Sequence, residues 1–278
     1  MTAPASLAGR DATPDRAARS PLERRLPELG MTKLELAAYY DQIATRMLPL
    51  VRGRPLLLRR GPGSAASIEG APEALHAVDV GADDPHVVVH DARGLRALAL
   101  VCALEVRGWG ARAETPEIPE RCVFALAVAE ASDRHALVEA ALEVRARVED
   151  AGLEAFCLST GGDGLQVICP LVEDASWPAV EGFAASVAEA LTDRHPDRYT
   201  ASGRDRGRVF VDPRLNRRGA TAVAPYSTLA RPGGWIAAPV AWDEMEAGRP
   251  RSVVDALGGL SRHDPWADYE AARLPLPR

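Results

Sequence analysis

Two short stretches of this sequence carry groups able to do phosphate or metal chemistry. The first is Arg208-Val-Phe-Val-Asp212, an apolar run that ends in a carboxylate and is followed by Arg214, Asn216, Arg217 and Arg218. A carboxylate at a strand end is a common ligand position for a divalent cation. It is equally common as a turn or helix cap. By itself Asp212 would hold a cation weakly, because such sites use several oxygen ligands. The second stretch is Ser159-Thr160-Gly161-Gly162-Asp163-Gly164-Leu165-Gln166. Its glycines let backbone amides approach a phosphate, and its hydroxyls add donors. The alternative is a tight hairpin turn that needs positive φ. Asp163 also puts negative charge where a phosphate would sit.

Other reactive side chains are sparse. The histidines at 76, 86, 90, 135, 195 and 263 form no spacing that names a nucleophile or metal system, and all six read as structural or surface. Cys102, Cys122, Cys157 and Cys169 form no C-x-x-C pair and each lies in an apolar stretch. They read as reduced, buried thiols rather than as a zinc site. Lys33 is the single lysine, and every other basic side chain except histidine is arginine.

The elements that must position these groups alternate strand and helix. Thr32 and Glu35 form a capping box ahead of a helix carrying Leu36, Tyr40, Ile43, Met47 and Leu48 on one face, ended by Pro49 and Gly53. Strands are expected at 54–59 and 86–90. A helix capped by Asp91 is expected to carry Leu95, Leu98, Cys102 and Val106, with Arg107 near its C-terminus and Trp109 in the core. Arg121–Val128 reads as a buried strand, 133–151 as an amphipathic helix stopped by Gly152, and 156–159 with 165–169 as a hairpin. A helix near 176–192, a strand at 208–212 and a short helix near Val253 complete the pattern.

Composition sets the class. The 278 residues are 47% apolar and 26% charged, enough for a substantial core. No apolar run reaches the roughly 18 residues needed to span a bilayer. The N-terminus has no apolar signal core, so a cytoplasmic location is the default expectation. A net charge of −6 argues against a generic nucleic-acid binder, though not against a local basic patch. Residues 1–28 read as a disordered arm and 29–278 as one α+β domain with a mixed sheet.

Taken in order, these pieces resemble the polymerase domain of bacterial DNA ligase D, a member of the archaeo-eukaryotic primase superfamily. The resemblance rests on Thr32–Tyr40, Met47–Pro55, the Gly-rich turn with Leu165, Gly207–Asp212, Asn216–Ser227 and Ala230-Arg231-Pro232. It implies a primase-type core, in which an RRM-like sheet and a second α/β lobe pack around a cleft. It also implies nucleotide addition to DNA ends during non-homologous end joining, with Mn or Mg ions held by three aspartates.

This sequence departs from that pattern where the chemistry would occur. Of the three aspartates only Asp212 has its match, and the other two positions are Ala125 and Ala127. A histidine beside the family's active site is Arg107 here, the Gly-rich loop's lysine is Asp163, and its triphosphate-contacting histidine is Gln166. An expected arginine falls at Leu215, with Arg214 next to it, and another at Leu229, with Arg231 retained. Thr160 keeps the family's phosphate-contacting hydroxyl, and Lys33 matches a lysine used near the 5′-phosphate of downstream DNA. The expectation is a chain without catalytic residues and without a tightly held metal, Asp212 being vestigial. Thr160, Gly161, Gly162, Gln166, Arg107, Asn216, Arg218 and Arg231 are candidates for nucleotide or phosphate binding, and Lys33 for a DNA 5′-phosphate. Its partners would be DNA ends or end-joining proteins such as a Ku-type end binder or a ligase. Two alternatives stand beside this. The cleft could be repurposed for a nucleotide or other metabolite, or displaced carboxylates such as Glu130 and Asp163 could sustain a residual polymerase.

Overall fold

The computed structural model describes residues 21–61, 64–66, 68–129, 134–161, 164–245, 250–260 and 262–277. Most of the expected N-terminal arm, 1–20, lies outside them. Its remainder is folded rather than disordered: β1 (Arg25–Leu26) pairs with β2 (Met31–Thr32), and Leu26 and Leu29 are buried in the core. Two leucines given an apolar site outweigh the polar character of their neighbours.

Helix α1 (Lys33–Val51) starts with the expected capping box. The Thr32 hydroxyl accepts from the Glu35 amide, and the Glu35 carboxylate accepts from the Thr32 amide. It runs past Pro49 to Val51, because Leu50 and Val51 are buried and anchor the last turn. Gly53, at φ +69, then breaks the helix.

One sheet packs with α1 and α2 (Ala92–Leu100). Its strands β3 (Leu56–Gly61), β5 (His76–Val78), β6 (His86–Val88), β7 (Glu105–Trp109) and β13 (Thr221–Val223) lie in the order β13-β7-β3-β6-β5, with β4 (Ser64–Ala65) against β3. All of these pairs are antiparallel.

Here the sequence-based helix through Val106 is corrected. Helix α2 ends at Leu100, Cys102 takes a left-handed φ of +56, and the Ala103 amide donates back to the Leu98 carbonyl at 3.0 Å. This is a Schellman-type stop built without glycine. Residues 105–109, Arg107 among them, are therefore strand. Trp109 is core as expected, fully buried, with its indole N–H donating to His86 Nε2 at 3.0 Å.

The second sheet contains β8 (Arg121–Ala127), β9 (Phe156–Ser159), β10 (Gly164–Pro170), β11 (Tyr199–Thr200), β12 (Val209–Asp212) and β14 (Ala238–Val240), in the order β11-β12-β8-β10-β9-β14. Only β11 and β12 run parallel. Helices α3 (Arg134–Asp150) and α4 (Trp177–Arg194) cover one face. Cys122, Phe124 and Leu126 on β8 point into that layer, while Val123 points into the other core. This period-2 alternation turns Ala125 and Ala127 toward the opposite face. A last helix, α5 (Val253–Gly258), packs beside α1. The architecture is mixed α+β, with two sheets facing each other across a cleft. Among the described residues, no helix is long and apolar enough to cross a membrane.

Candidate functional site

The cleft between the sheets has a volume of about 470 Å³. Its floor is a cross-strand row. On β8, Ala125 stands directly opposite Asp212 of β12 on one side and Gln166 of β10 on the other. One step along, Ala127 lies between Phe210 and Gly164. Paired residues share a face, so the two alanine methyls, Asp212 and Gln166 point into one space. The wall comes from the other sheet, where Arg59 of β3 pairs with Glu105 of β7, and Arg107 is two residues further on the same face.

Asp212 is closed from within the chain. Arg214 Nε donates to Oδ1 at 2.7 Å, Arg214 Nη2 donates to Oδ2 at 2.8 Å, and the Arg214 amide donates to Oδ1 at 3.0 Å. The two-residue spacing, with Arg214 opening a 3₁₀ turn (Arg214–Asn216), lets the guanidinium fold back as a bidentate fork. The guanidinium also lies 5.2 Å from the Phe210 ring centroid. Its hydrogen bond to Asp212 and the carboxylate charge hold the Arg214 pKa above its usual value.

Gln166 is the opposite case. It is 5% exposed, and its buried Oε1 has no hydrogen-bond partner. A buried acceptor without a donor is costly, and such groups mark places where something else supplies the donor.

The Gly-rich segment is a hairpin, as its alternative reading had it. Leu165 pairs with Ser159, and the Thr160 amide donates to the Gly164 carbonyl at 3.1 Å. Gly161 is at φ +88 and leaves no room for a Cβ against Arg231 and Leu229, while Gly164 makes room for the Thr160 hydroxyl. Arg231 donates to the carbonyls of Thr160 (2.8 Å) and Gly161, fixing the turn to the cleft rim. Gly162 and Asp163 lie outside the described residues, as does Glu130.

Arg107 lines the cleft with its guanidinium bound to Glu105 Oε1 (3.1 Å), Thr221 Oγ1 (3.2 Å) and the Thr221 carbonyl (2.6 Å). Asn216 is buried instead. Its amide accepts from Val123 N and donates to Val123 O, completing the edge of β8 where β12 has ended. Arg218 bonds Glu117 and the Val80 carbonyl and stacks on Trp109, outside the cleft lining. Lys33 donates to the Leu100 carbonyl at 2.9 Å, at the negative end of α2. The structure thus brings Asp212, Gln166, Arg107, Thr160 and Arg231 together around the alanine pair, keeps Gly161 in the turn against Arg231, and places Asn216, Arg218 and Lys33 elsewhere.

Sequence reasoning missed Arg59, Glu105 and Arg204, which also line the cleft. The polar–apolar–polar run Glu105-Val-Arg107 is a strand signal that could have revealed one of them.

A divalent ion does not fit the side chains on view. Two positions offer methyl groups, both oxygens of Asp212 already accept from a guanidinium, and the described residues contain no group of three or more His, Cys, Asp or Glu able to hold a metal. Three of the four cysteines are buried, as expected, with Cys102 half-buried; all four are free, and burial pushes the Cys157 thiol up to about 12.

Comparison with known proteins follows this geometry closely. The polymerase domain of Mycobacterium tuberculosis ligase D, solved in complex with DNA, superposes with a TM-score of 0.81 at 27% identity, covering 93% of this chain and 99% of that one. The multifunctional non-homologous end joining protein LigD of Pseudomonas aeruginosa is 30% identical over 268 residues, 89% of this chain. Its counterpart in Mycolicibacterium smegmatis is 32% identical over 235 residues, 79% of this chain. The chain spans about a third of the length of these relatives (32% and 31%). The profile described as the LigD primase-polymerase domain matches residues 32–266, and on that match the chain belongs to the LigD primase-polymerase family.

Proposed function

We propose that this chain is a member of its family that has lost nucleotidyl transfer and acts as an accessory protein in non-homologous end joining, binding a DNA end or a partner such as a Ku-type end binder or a ligase. The observation that carries this reading is the floor of the cleft: two methyl groups and one arginine-capped carboxylate stand where metal-assisted phosphoryl transfer needs a cage of oxygens. Without that cage the chain holds Mn or Mg weakly, and the several kcal/mol of transition-state stabilisation that the metals supply is lost. Conservation of the two-sheet scaffold favours retained binding, and the DNA-bound relative supports DNA as the partner. Primer extension by the purified protein on a template with an overhang, in Mn²⁺ and a nucleoside triphosphate, tests the reading. No extension is expected, and template-dependent extension refutes it. Fluorescence anisotropy with 5′-phosphorylated duplex ends, alone and with a Ku-type protein, tests the binding half.

A second reading, a cleft repurposed for a small ligand, is favoured by the orphaned Gln166 oxygen and by the lining charges. Among the described lining residues four arginines face two carboxylates, in a chain whose net charge is −6.

A further inference from the structure

We propose that Arg214 is a built-in substitute for a divalent cation, and that the cleft takes a small organic phosphate without metal. The inference rests on the reading that the metal cage is gone, and adds what replaced it. A bare carboxylate facing the cleft would repel any anion. The Arg214 fork instead cancels the charge of Asp212 through two parallel hydrogen bonds, at 2.7 and 2.8 Å, and leaves a guanidinium that is more than half exposed. With that carboxylate neutralised, arginines outnumber the remaining carboxylate among the described residues of the wall and rim. Arg59 forms no ion pair with any described carboxylate, Arg107 is turned into place by Glu105 and Thr221, and Arg231 is pinned over the hairpin. A cleft with one predominant sign and apolar walls concentrates the opposite charge.

The second, independent observation is Gln166. Its Oε1 is buried, lacks a partner and shares the floor with Asp212. A fully ionised inorganic polyphosphate has only acceptors to offer it. A ligand that satisfies the site therefore joins a phosphate to a neutral donor, a hydroxyl or amine, as a phosphate ester of a sugar or nucleoside does. At about 470 Å³ the space suits a small molecule.

Isothermal titration with ATP and with inorganic tripolyphosphate, each in EDTA and in Mn²⁺, tests the proposal on the whole chain. ATP is expected to bind in EDTA, more tightly than tripolyphosphate, with little change on adding Mn²⁺. Arg214→Ala exposes Asp212 and lowers affinity in EDTA by about tenfold, and Mn²⁺ restores part of it. Asp212→Asn releases the guanidinium and raises affinity in EDTA about threefold or more, the reverse of what a metal ligand would do. Gln166→Leu reduces ATP affinity to that of tripolyphosphate and leaves tripolyphosphate unchanged. Binding of ATP only in the presence of Mn²⁺, or weaker binding in Asp212→Asn, overturns the proposal, as does binding of 5′-phosphorylated DNA but not ATP. Thermal melts of the variants confirm that each is folded. Absence of primer extension together with EDTA-sensitive ATP binding would sink this inference alone, whereas Mn²⁺-dependent extension sinks the reading beneath it.

Discussion

Arginine meets carboxylate at two contrasting places in this molecule. Glu120 is fully buried and surrounded by Arg54 at 2.5 Å, Arg112 at 2.7 Å and Arg273 at 3.4 Å. Arg54 also donates to the carbonyls of Leu50 and Gly110, and Arg273 to that of Leu171. One carboxylate therefore ties the end of α1, the turn after β7, the start of β8 and the C-terminal segment into one joint. Asp212 meets one arginine, at an open cleft. The first site is charge used as mortar, since desolvation there is tolerable only because every charge is paired. The second is charge left within reach of solvent and ligand, where the same pairing contributes little to folding and can respond to what binds.

The sharpest way to break this contrast is Glu120→Gln. It leaves Arg54 and its neighbours buried against a neutral amide, and should cost about 3–5 kcal/mol in chemical denaturation. A cost below about 1 kcal/mol would mean that the joint is ornamental. Asn216→Ala is expected to rank next, at about 2–3 kcal/mol, because it strands the Val123 amide and carbonyl at the edge of β8. That loss should appear in stability first and in ligand affinity only through β8.

Acid should also separate the two places. Burial alone raises the Glu120 pKa, but the charges of Arg54, Arg112 and Arg273 outweigh it and hold the carboxyl below its usual range. A depressed carboxyl pKa contributes stability that is fully present above the unfolded-state value, about 4.3. That contribution is lost as pH falls through the folded-state value. Glu173 works against this: its interaction with the neighbouring Glu120 carboxylate, then burial, raises its pKa, so its contribution is present at low pH and lost as pH rises through its folded value. Glu173→Gln should therefore steepen the acid loss of stability, and Glu120→Gln should flatten it, as read by urea midpoints between about pH 3 and 6. The smallest effect is expected for Arg214→Ala, about 0–1 kcal/mol on stability, against its roughly tenfold effect on anion affinity. Should Arg214→Ala instead destabilise as much as Glu120→Gln, the distinction between the two sites fails.

Much of this was legible in the chain because local signals agreed with tertiary ones. The Thr32–Glu35 capping box, the Asp91 cap, the β8 alternation and the hairpin around Gly161 all form as their residue types dictate. The stretch Leu95–Trp109 was not legible. Its apolar residues keep a helical period past Leu100, and the stop comes from a left-handed cysteine, which no residue preference announces. Pairing with β3 on one side and β13 on the other then claims residues 105–109 as a central strand, a decision made by distant partners. The candidate site divides similarly. Strand period and order put Asp212, Ala125 and Gln166 in one row, but the return of Arg214 onto Asp212 depends on the 3₁₀ turn that follows. Asn216 and Arg218 share a motif with the cleft residues yet point away from it, because one side chain completes a strand edge and the other covers Trp109.

Lys33 is the single primary amine among the side chains of this protein, and it bonds the last carbonyl of α2. An amine-selective acylating reagent therefore has one side-chain amine to modify, so a label or crosslinker installed there reports from a known spot without any engineered residue. If an outside phosphate captured that amine, α2 would lose its terminal clasp, and amide exchange around residues 98–102 would quicken as the amine became protected from acylation. The two readouts move in opposite directions, which gives an internal control for any partner that docks at this corner.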